Sequence, residues 1–316
     1  MTFKLPKETS KGHRVNHNRP FAAALAITFG LTGCELYTVE EPALATEEAM
    51  ETPEDVDAPY WREVHAEDLV LVQTRHGVTA IELNISFAPN HAKRFRDLAR
   101  AEFYDGEYFY RVIDGFVAQG GVQDVERVES WPALANENDR PLSFEPFVPL
   151  GNDDLFTDLV GHTGTGFAMG RDREMGREWL LHCPGALAMA RDTGPDTGST
   201  EFYIVLGPQR YLDRNLTIFG RVIDGMEYIQ ALERGDREVE SGVIQPPRTG
   251  DGILSVRIAA DVPETDRPVY QVMKTRTDQF EAAKQSRRVR EEDFFYRKPP
   301  EVLDVCGVEV PARRVR

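Results

Sequence analysis

The sequence predicts a mainly β fold, a closed antiparallel barrel. Three features carry that prediction: many short apolar runs, turn residues between them, and only two segments of helical periodicity in the central part of the chain. The first two runs, residues 69–72 and 78–83, flank Arg75-His76-Gly77, a spacing that suits a hairpin. After Pro89-Asn90 the apolar positions Phe95, Leu98 and Ala99 recur at helical spacing until Asp105-Gly106 ends the pattern. Aromatic and β-branched runs follow at 108–112 and 116–119, divided by Asp114-Gly115, and further strands are predicted at 185–191, 201–206 and 217–222. Asp224-Gly225 opens a second short helix that runs to about residue 232, and residues 253–259 supply the last strand.

Residues 122–184 interrupt this pattern. They show little periodicity and read as a long surface insertion. Their glycine-rich stretch, 161–166, has no Gly-Lys-Ser/Thr after it and no strand-to-helix context, which excludes a phosphate loop. Asn152, Asp153, Asp154 and Asp158 lack the ligand spacing of a calcium loop and read as turn formers. Beyond Asp261 an Arg-rich, helix-prone run at 280–297 is stopped by Pro299-Pro300, and a short strand pair is expected around Cys306. Residues 262–316 are therefore an appendage, whose Arg287, Arg288 and Arg290 suit a solvated or intramolecular role better than a lipid contact.

The formal net charge of −16 excludes a protein that grips nucleic acid through non-specific phosphate contacts. From Glu35 to Pro59 every charged side chain is a carboxylate, and prolines are interspersed, so residues 34–62 read as a self-repelling, solvated tether. Upstream, Arg14 and Arg19 precede an apolar run at 21–31, shorter than the ~20 residues a membrane span needs. That run ends on Leu31-Thr32-Gly33-Cys34, which resembles the lipobox of bacterial lipoproteins. The resemblance implies a signal peptide at 1–33, lipidation at Cys34, and a mature protein held on a membrane surface on the periplasmic side of a bacterial envelope. Cys34, Cys183 and Cys306 have no zinc-site spacing, and no metal is expected. In an oxidising compartment Cys183 and Cys306 either pair or stay as two free thiols, and spacing alone does not choose.

The chemistry sits in five blocks that occur in order: "YDGEYFYRVIDGFVAQGG" at 104–121, "PGALAMA" at 184–190, "EFYIVL" at 201–206, "YLDRNLTIFGRV" at 211–222 and "DGME" at 224–227. Together they resemble the cyclophilins, peptidyl-prolyl cis-trans isomerases, over residues 69–261. The resemblance implies an eight-stranded closed barrel capped by two helices within a domain spanning 63–261. It also implies a proline pocket on the outer surface, no cofactor, a monomer, and proline-containing peptides or unfolded proteins as partners. By the same resemblance Arg111 is the catalytic residue. Rotation about an Xaa-Pro bond faces a barrier of ~18–20 kcal/mol, and a fixed guanidinium that bonds the proline nitrogen as the amide twists lowers it selectively. Phe116, Val117, Tyr203 and Leu212 fall on the apolar cup for the proline ring. Gln119 falls where the family bonds substrate backbone and places the arginine, Ala190 and Arg191 on the strand end where substrate main chain docks, and Tyr211 on the aromatic rim.

Three positions depart from the family pattern. Tyr110 stands where the family has His, Leu216 replaces another common His, and Glu201 replaces Gln. An ionised carboxylate only accepts hydrogen bonds, so one expectation is a Glu201–Arg111 ion pair that holds the guanidinium yet competes with substrate. The main functional expectation is isomerisation of Xaa-Pro bonds in exported or envelope proteins. A catalytically weak proline-peptide binding module is the alternative. A hydrolase is disfavoured, because no Gly-x-Ser-x-Gly elbow occurs and His76, His91, His162 and His182 are scattered.

Overall fold

Nine antiparallel strands form the large sheet of the computed structural model, which describes residues 58–316; the expected signal peptide at 1–33, the expected lipidation site Cys34 and nearly all of the acidic stretch lie outside the described residues. The pairing order is Asp251–Gly252, Tyr108–Val112, Val117–Gly121, Phe202–Val205, Ala186–Met189, Ile218–Asp224, Gly77–Leu83, Leu69–Thr74, Ser255–Ile258. Every run predicted between residues 69 and 261 falls on one of these strands. The closed eight-stranded barrel does not appear: the order is open and has nine members. The physical reason lies in residues 251–258, which serve both edges. Asp251–Gly252 pairs with Tyr108–Val112, and Ser255–Ile258 pairs with Leu69–Thr74. Between them the Ile253 amide donates to Glu107 O and the Leu254 amide to Gln73 O. One chain segment thus turns from one edge of a curled sheet to the other, so no ladder need join two separate edge strands.

The core inside the curl is aromatic. Phe95, from helix Pro89–Arg100, meets Tyr104, Phe202 and Phe219, and Phe109 meets Phe202 edge-on at 5.8 Å. All five side chains are fully buried. The Tyr104 hydroxyl donates to Thr200 O at 2.6 Å, which satisfies a polar group that burial would otherwise penalise and fixes the chain beside Glu201. Helix Pro89–Arg100 has no side-chain cap of its own. Glu137 supplies one from the insertion, accepting from the Asn90 and His91 amides at 3.1 and 3.0 Å.

The insertion is not the irregular excursion its sequence suggests. Strands Arg140–Pro141, Arg177–Leu180, Ala168–Asp172, Leu159–Thr163 and Phe147–Pro149 pair in that order as a five-stranded antiparallel sheet. Glu178, fully buried within it, is held between Arg140 and Arg171 at 2.7 and 2.8 Å. The acidic cluster does form turns and ion pairs: Asp154 binds Arg210 at 3.0 Å and Asp158 binds Arg173 at 3.1 Å. No group of His, Cys, Asp and Glu suited to a metal occurs among the described residues.

The tail also differs in detail. Its helix is Asp278–Arg288, capped by Thr277, and ends well short of 297. Around Cys306 there is a 3-10 turn, Val305–Gly307, and no strand pair. The strand that does form, Ala312–Arg314, joins Tyr270–Met273, which pairs on its other side with Trp61–Glu63. The basic side chains are intramolecular: Lys284 donates to Pro149 O, Arg288 to Leu150 O and Arg287 to Gly307 O. Cys183 and Cys306 are disulfide-bonded, which ties the tail to the segment entering strand Ala186–Met189. No helix among the described residues is long and apolar enough to cross a membrane.

Candidate active site

Arg111 and Tyr110 are consecutive on strand Tyr108–Val112, so regular pleating would send them to opposite faces. The register with Val117–Gly121 shifts between Tyr108 and Arg111. Such an irregularity re-aims side chains, and here both residues bear on Gln119. Arg111 Nη1 donates to Gln119 Oε1 at 3.1 Å, and Gln119 Nε2 donates to the Tyr110 hydroxyl oxygen at 2.7 Å. Tyr110 in turn donates to Glu201 Oε2. The expected Glu201–Arg111 ion pair is therefore absent. Tyr110 stands between the two, and its hydroxyl takes the carboxylate oxygen that the guanidinium would have used. On its other side Arg111 Nε donates to Ser241 O at 2.8 Å. Among the described residues no carboxylate pairs with Arg111, and burial lowers its pKa from the ordinary value, with neighbouring Arg237 acting in the same direction. It remains a cation at any physiological pH.

The Arg111 guanidinium lies over the Phe116 ring at 5.6 Å, and Arg237 faces the same ring at 5.8 Å. Val117 and Tyr203 are buried, Phe116 and Leu212 half-buried, and Tyr211 stands 62% exposed at the rim. Tyr203 is directly opposite Gln119 in the sheet. Its hydroxyl meets His182 Nε2 at 2.9 Å, while His182 Nδ1 meets Asp213 Oδ1 at 3.1 Å. Because a carboxylate only accepts, His182 Nδ1 donates to Asp213. The turn that bears Tyr211 and Leu212 is braced by Arg210, which binds both Asp213 and Asp154 of the insertion. Arg191 donates to the Asp192 and Thr193 carbonyls of its own loop and to the Asn215 carbonyl of the segment that follows Tyr211 and Leu212. The Ala190 amide is committed to Glu201 O at 2.8 Å. Leu216, in place of a polar ring, packs partly buried against the core.

Glu201 is the carboxyl in this group that burial perturbs. Burial pushes its carboxyl up to about 7, with Glu107 acting the same way, against the Tyr110 hydroxyl, the Val122 amide and the Gln119 side chain, which pull it down. Its Oε1 makes no hydrogen bond of good geometry. Gly121, at φ +152°, leaves just enough room: a Cβ there would lie 2.2 Å from Oε1. A carboxyl that holds its proton more tightly folded than unfolded favours the folded state at low pH and loses that advantage as pH rises through the folded value. Glu201→Gln is therefore expected to exceed the wild type in stability by about 2–3 kcal/mol at about pH 8 and to match it near pH 4. Thermal melts at the two pH values measure this, and equal shifts at both would contradict it.

Sequence reasoning reached Arg111, Phe116, Gln119, Tyr203 and Tyr211, and the structure brings these together. It missed Ser241, Arg237, His182 and Asp213. Ser241 contributes only a carbonyl, and Arg237 lies in a turn-rich stretch with no periodicity, so neither had a signal. The His182–Asp213 pair joins residues 31 apart in sequence across two loops.

The family model for cyclophilin type peptidyl-prolyl cis-trans isomerase matches residues 69–258, more than half of the chain. The chain belongs to the cyclophilin family. A probable peptidyl-prolyl cis-trans isomerase from Brucella suis is 29% identical over 197 residues, covering 62% of this chain and 84% of that protein. The peptidyl-prolyl cis-trans isomerase ppi1 of Schizosaccharomyces pombe is 32% identical over 176 residues, 54% of this chain and 92% of its own length. In structure the chain is similar to the cyclophilin AquaCyp293 of Hirschia baltica, with a TM-score of 0.67 and 26% identity over 82% of this chain and 94% of that one. This cyclophilin is thus an isomerase, and the match to AquaCyp293 covers more of the chain than residues 69–258.

Proposed function

We propose that the surface around Arg111 is the isomerisation site and that its substrates are Xaa-Pro segments of exported or envelope proteins. The observation that supports this best is the state of Arg111: half-buried, held by two neutral acceptors, and paired with no carboxylate among the described residues. A guanidinium quenched by a carboxylate would have little to offer a pyramidal proline nitrogen, whereas this one keeps its field and its remaining N–H groups. Phe116 and Leu212, backed by Val117 and Tyr203, form the apolar cup for the proline ring, with Tyr211 at the rim. Gln119 bonds substrate backbone as well as Arg111, and Ala190 and Arg191 mark the strand end along which the main chain docks. No bond is made or broken, so the residues present suffice without a cofactor.

The experiment is exchange spectroscopy on a proline tetrapeptide, with wild type beside Arg111→Ala. Wild type should accelerate cis–trans exchange strongly, and equal rates for the two proteins would remove Arg111 from catalysis. The envelope setting rests on the Leu31-Thr32-Gly33-Cys34 motif. Cells expressing the full chain should incorporate a labelled fatty acid into it, and Cys34→Ser should abolish the label and release the protein to the soluble fraction. Label retained in Cys34→Ser would end the lipoprotein reading.

A further inference from the structure

The relay Glu201–Tyr110–Gln119–Arg111 has a direction, and the direction depends on one proton. When Glu201 is ionised it can only accept, so the Tyr110 hydroxyl proton points at Oε2. The Tyr110 oxygen is then free to accept from Gln119 Nε2, which turns Gln119 Oε1 towards Arg111 Nη1. Each donor meets an acceptor along the whole chain. When Glu201 is protonated, its hydroxyl can donate to the Tyr110 oxygen and the Tyr110 proton can swing to Gln119. The amide then presents oxygen to Tyr110 and NH2 to Arg111, so two donors face each other. In that state Ser241 O is the one fixed acceptor left to Arg111.

We propose that Tyr110 and Glu201 are a positioning pair for Arg111, in which the ionised Glu201 carboxylate orients the Tyr110–Gln119 relay and the isomerase turns over faster with Glu201 ionised than protonated. The inference rests on the proposed role of Arg111 as the catalytic group. Its support is geometric: three consecutive hydrogen bonds, a strand irregularity that brings Tyr110 and Arg111 to the same amide, and a glycine whose missing side chain houses the carboxylate. Burial holds the carboxyl at about 7, which puts the change of state near neutral pH.

The other ionisable groups around Glu201 do not supply a competing switch. From the segment before strand Tyr108–Val112, Glu107 raises its pKa, but Glu107 is itself paired with Arg127. Tyr104, from the turn after helix Pro89–Arg100, is buried and its hydroxyl is committed to Thr200 O. Tyr110 is driven far above its ordinary pKa by burial and by Glu201 itself. Arg94, from that same helix, spends a donor on Ser199 O and not on the carboxylate.

The test is kcat/KM for a proline peptide without titratable groups, measured from about pH 5.5 to about pH 8.5. Wild type, Glu201→Gln, Tyr110→Phe and Arg111→Ala are compared, with folding of each checked by its melting curve. Wild type should rise about 5–10-fold through a midpoint near 7. Glu201→Gln should flatten the profile, because its amide does not titrate. Tyr110→Phe should also be flat, about 10-fold below the wild-type value at high pH, because the relay is cut at the hydroxyl. A flat wild-type profile, or a Glu201→Gln profile with the wild-type midpoint, overturns the proposal. Loss of activity in Arg111→Ala at every pH together with a flat wild type sinks the relay alone, whereas full activity in Arg111→Ala sinks the reading of the site on which it rests.

Discussion

Arg111→Ala should lower kcat/KM for a proline peptide by about 10²–10³-fold, the range found when one preorganised donor to a developing charge is removed. The loss should fall on kcat more than on KM, because the interaction that vanishes strengthens only as the amide twists and its nitrogen gains a lone pair. Burial sharpens the expectation: a partly desolvated guanidinium acts through a lower dielectric than one in water. The same change should cost about 1 kcal/mol of stability, since among the described residues Arg111 makes no ion pair and its Ser241 contact is solvent-exposed. A parallel fall in rate and melting temperature would point to lost structure, and no fall in rate would take catalysis away from Arg111.

Cys306→Ser should destabilise the protein by about 5 kcal/mol, from the chain-entropy model for a large closed loop. Cys183 and Cys306 are 123 residues apart, and the loop they close includes most of the large sheet's second half and the whole tail helix. At this size the change corresponds to a melting temperature about 10 °C lower. A reductant added to wild type should reproduce the shift, and a melting temperature indifferent to reduction would show that tail packing alone carries the junction. That packing is considerable: Phe280 is fully buried edge-on to His162, and Val305 is buried beside the disulfide. Isomerase activity well below the transition should survive in Cys306→Ser, because the Arg111 relay lies on other strands.

The strands of the large sheet were legible because their apolar residues alternate or cluster between Gly, Asp and Asn turns, and because the blocks around Arg111 are dense. The insertion was illegible for an equally physical reason. Its strands are built partly of glycine: Gly161 crosses Val148 O and Gly170 lies under Trp179, so close that a Cβ would meet them at 2.1 and 3.0 Å. Glycine lowers strand propensity, so a sheet that needs such close approach hides its own signal. At the site, Glu201 and Tyr110 were each recognised as departures from the family pattern, but not as partners. Their meeting depends on the local register shift between Tyr108 and Arg111, which no residue pattern announces. The two substitutions make sense together: a hydroxyl that must donate and a carboxylate that must accept.

The small sheet of Trp61–Glu63, Tyr270–Met273 and Ala312–Arg314 bears on how the protein responds to tension. Its outer strands both run antiparallel to the central one and hence parallel to each other. A pull applied between the two ends of the described chain would drag these outer strands in opposite directions along their length. The hydrogen bonds to the central strand lie across that pull, so they are sheared together and not unzipped one at a time. The sheet acts as a mechanical clasp, and the curled sheet that carries Arg111 stays unloaded until it gives way.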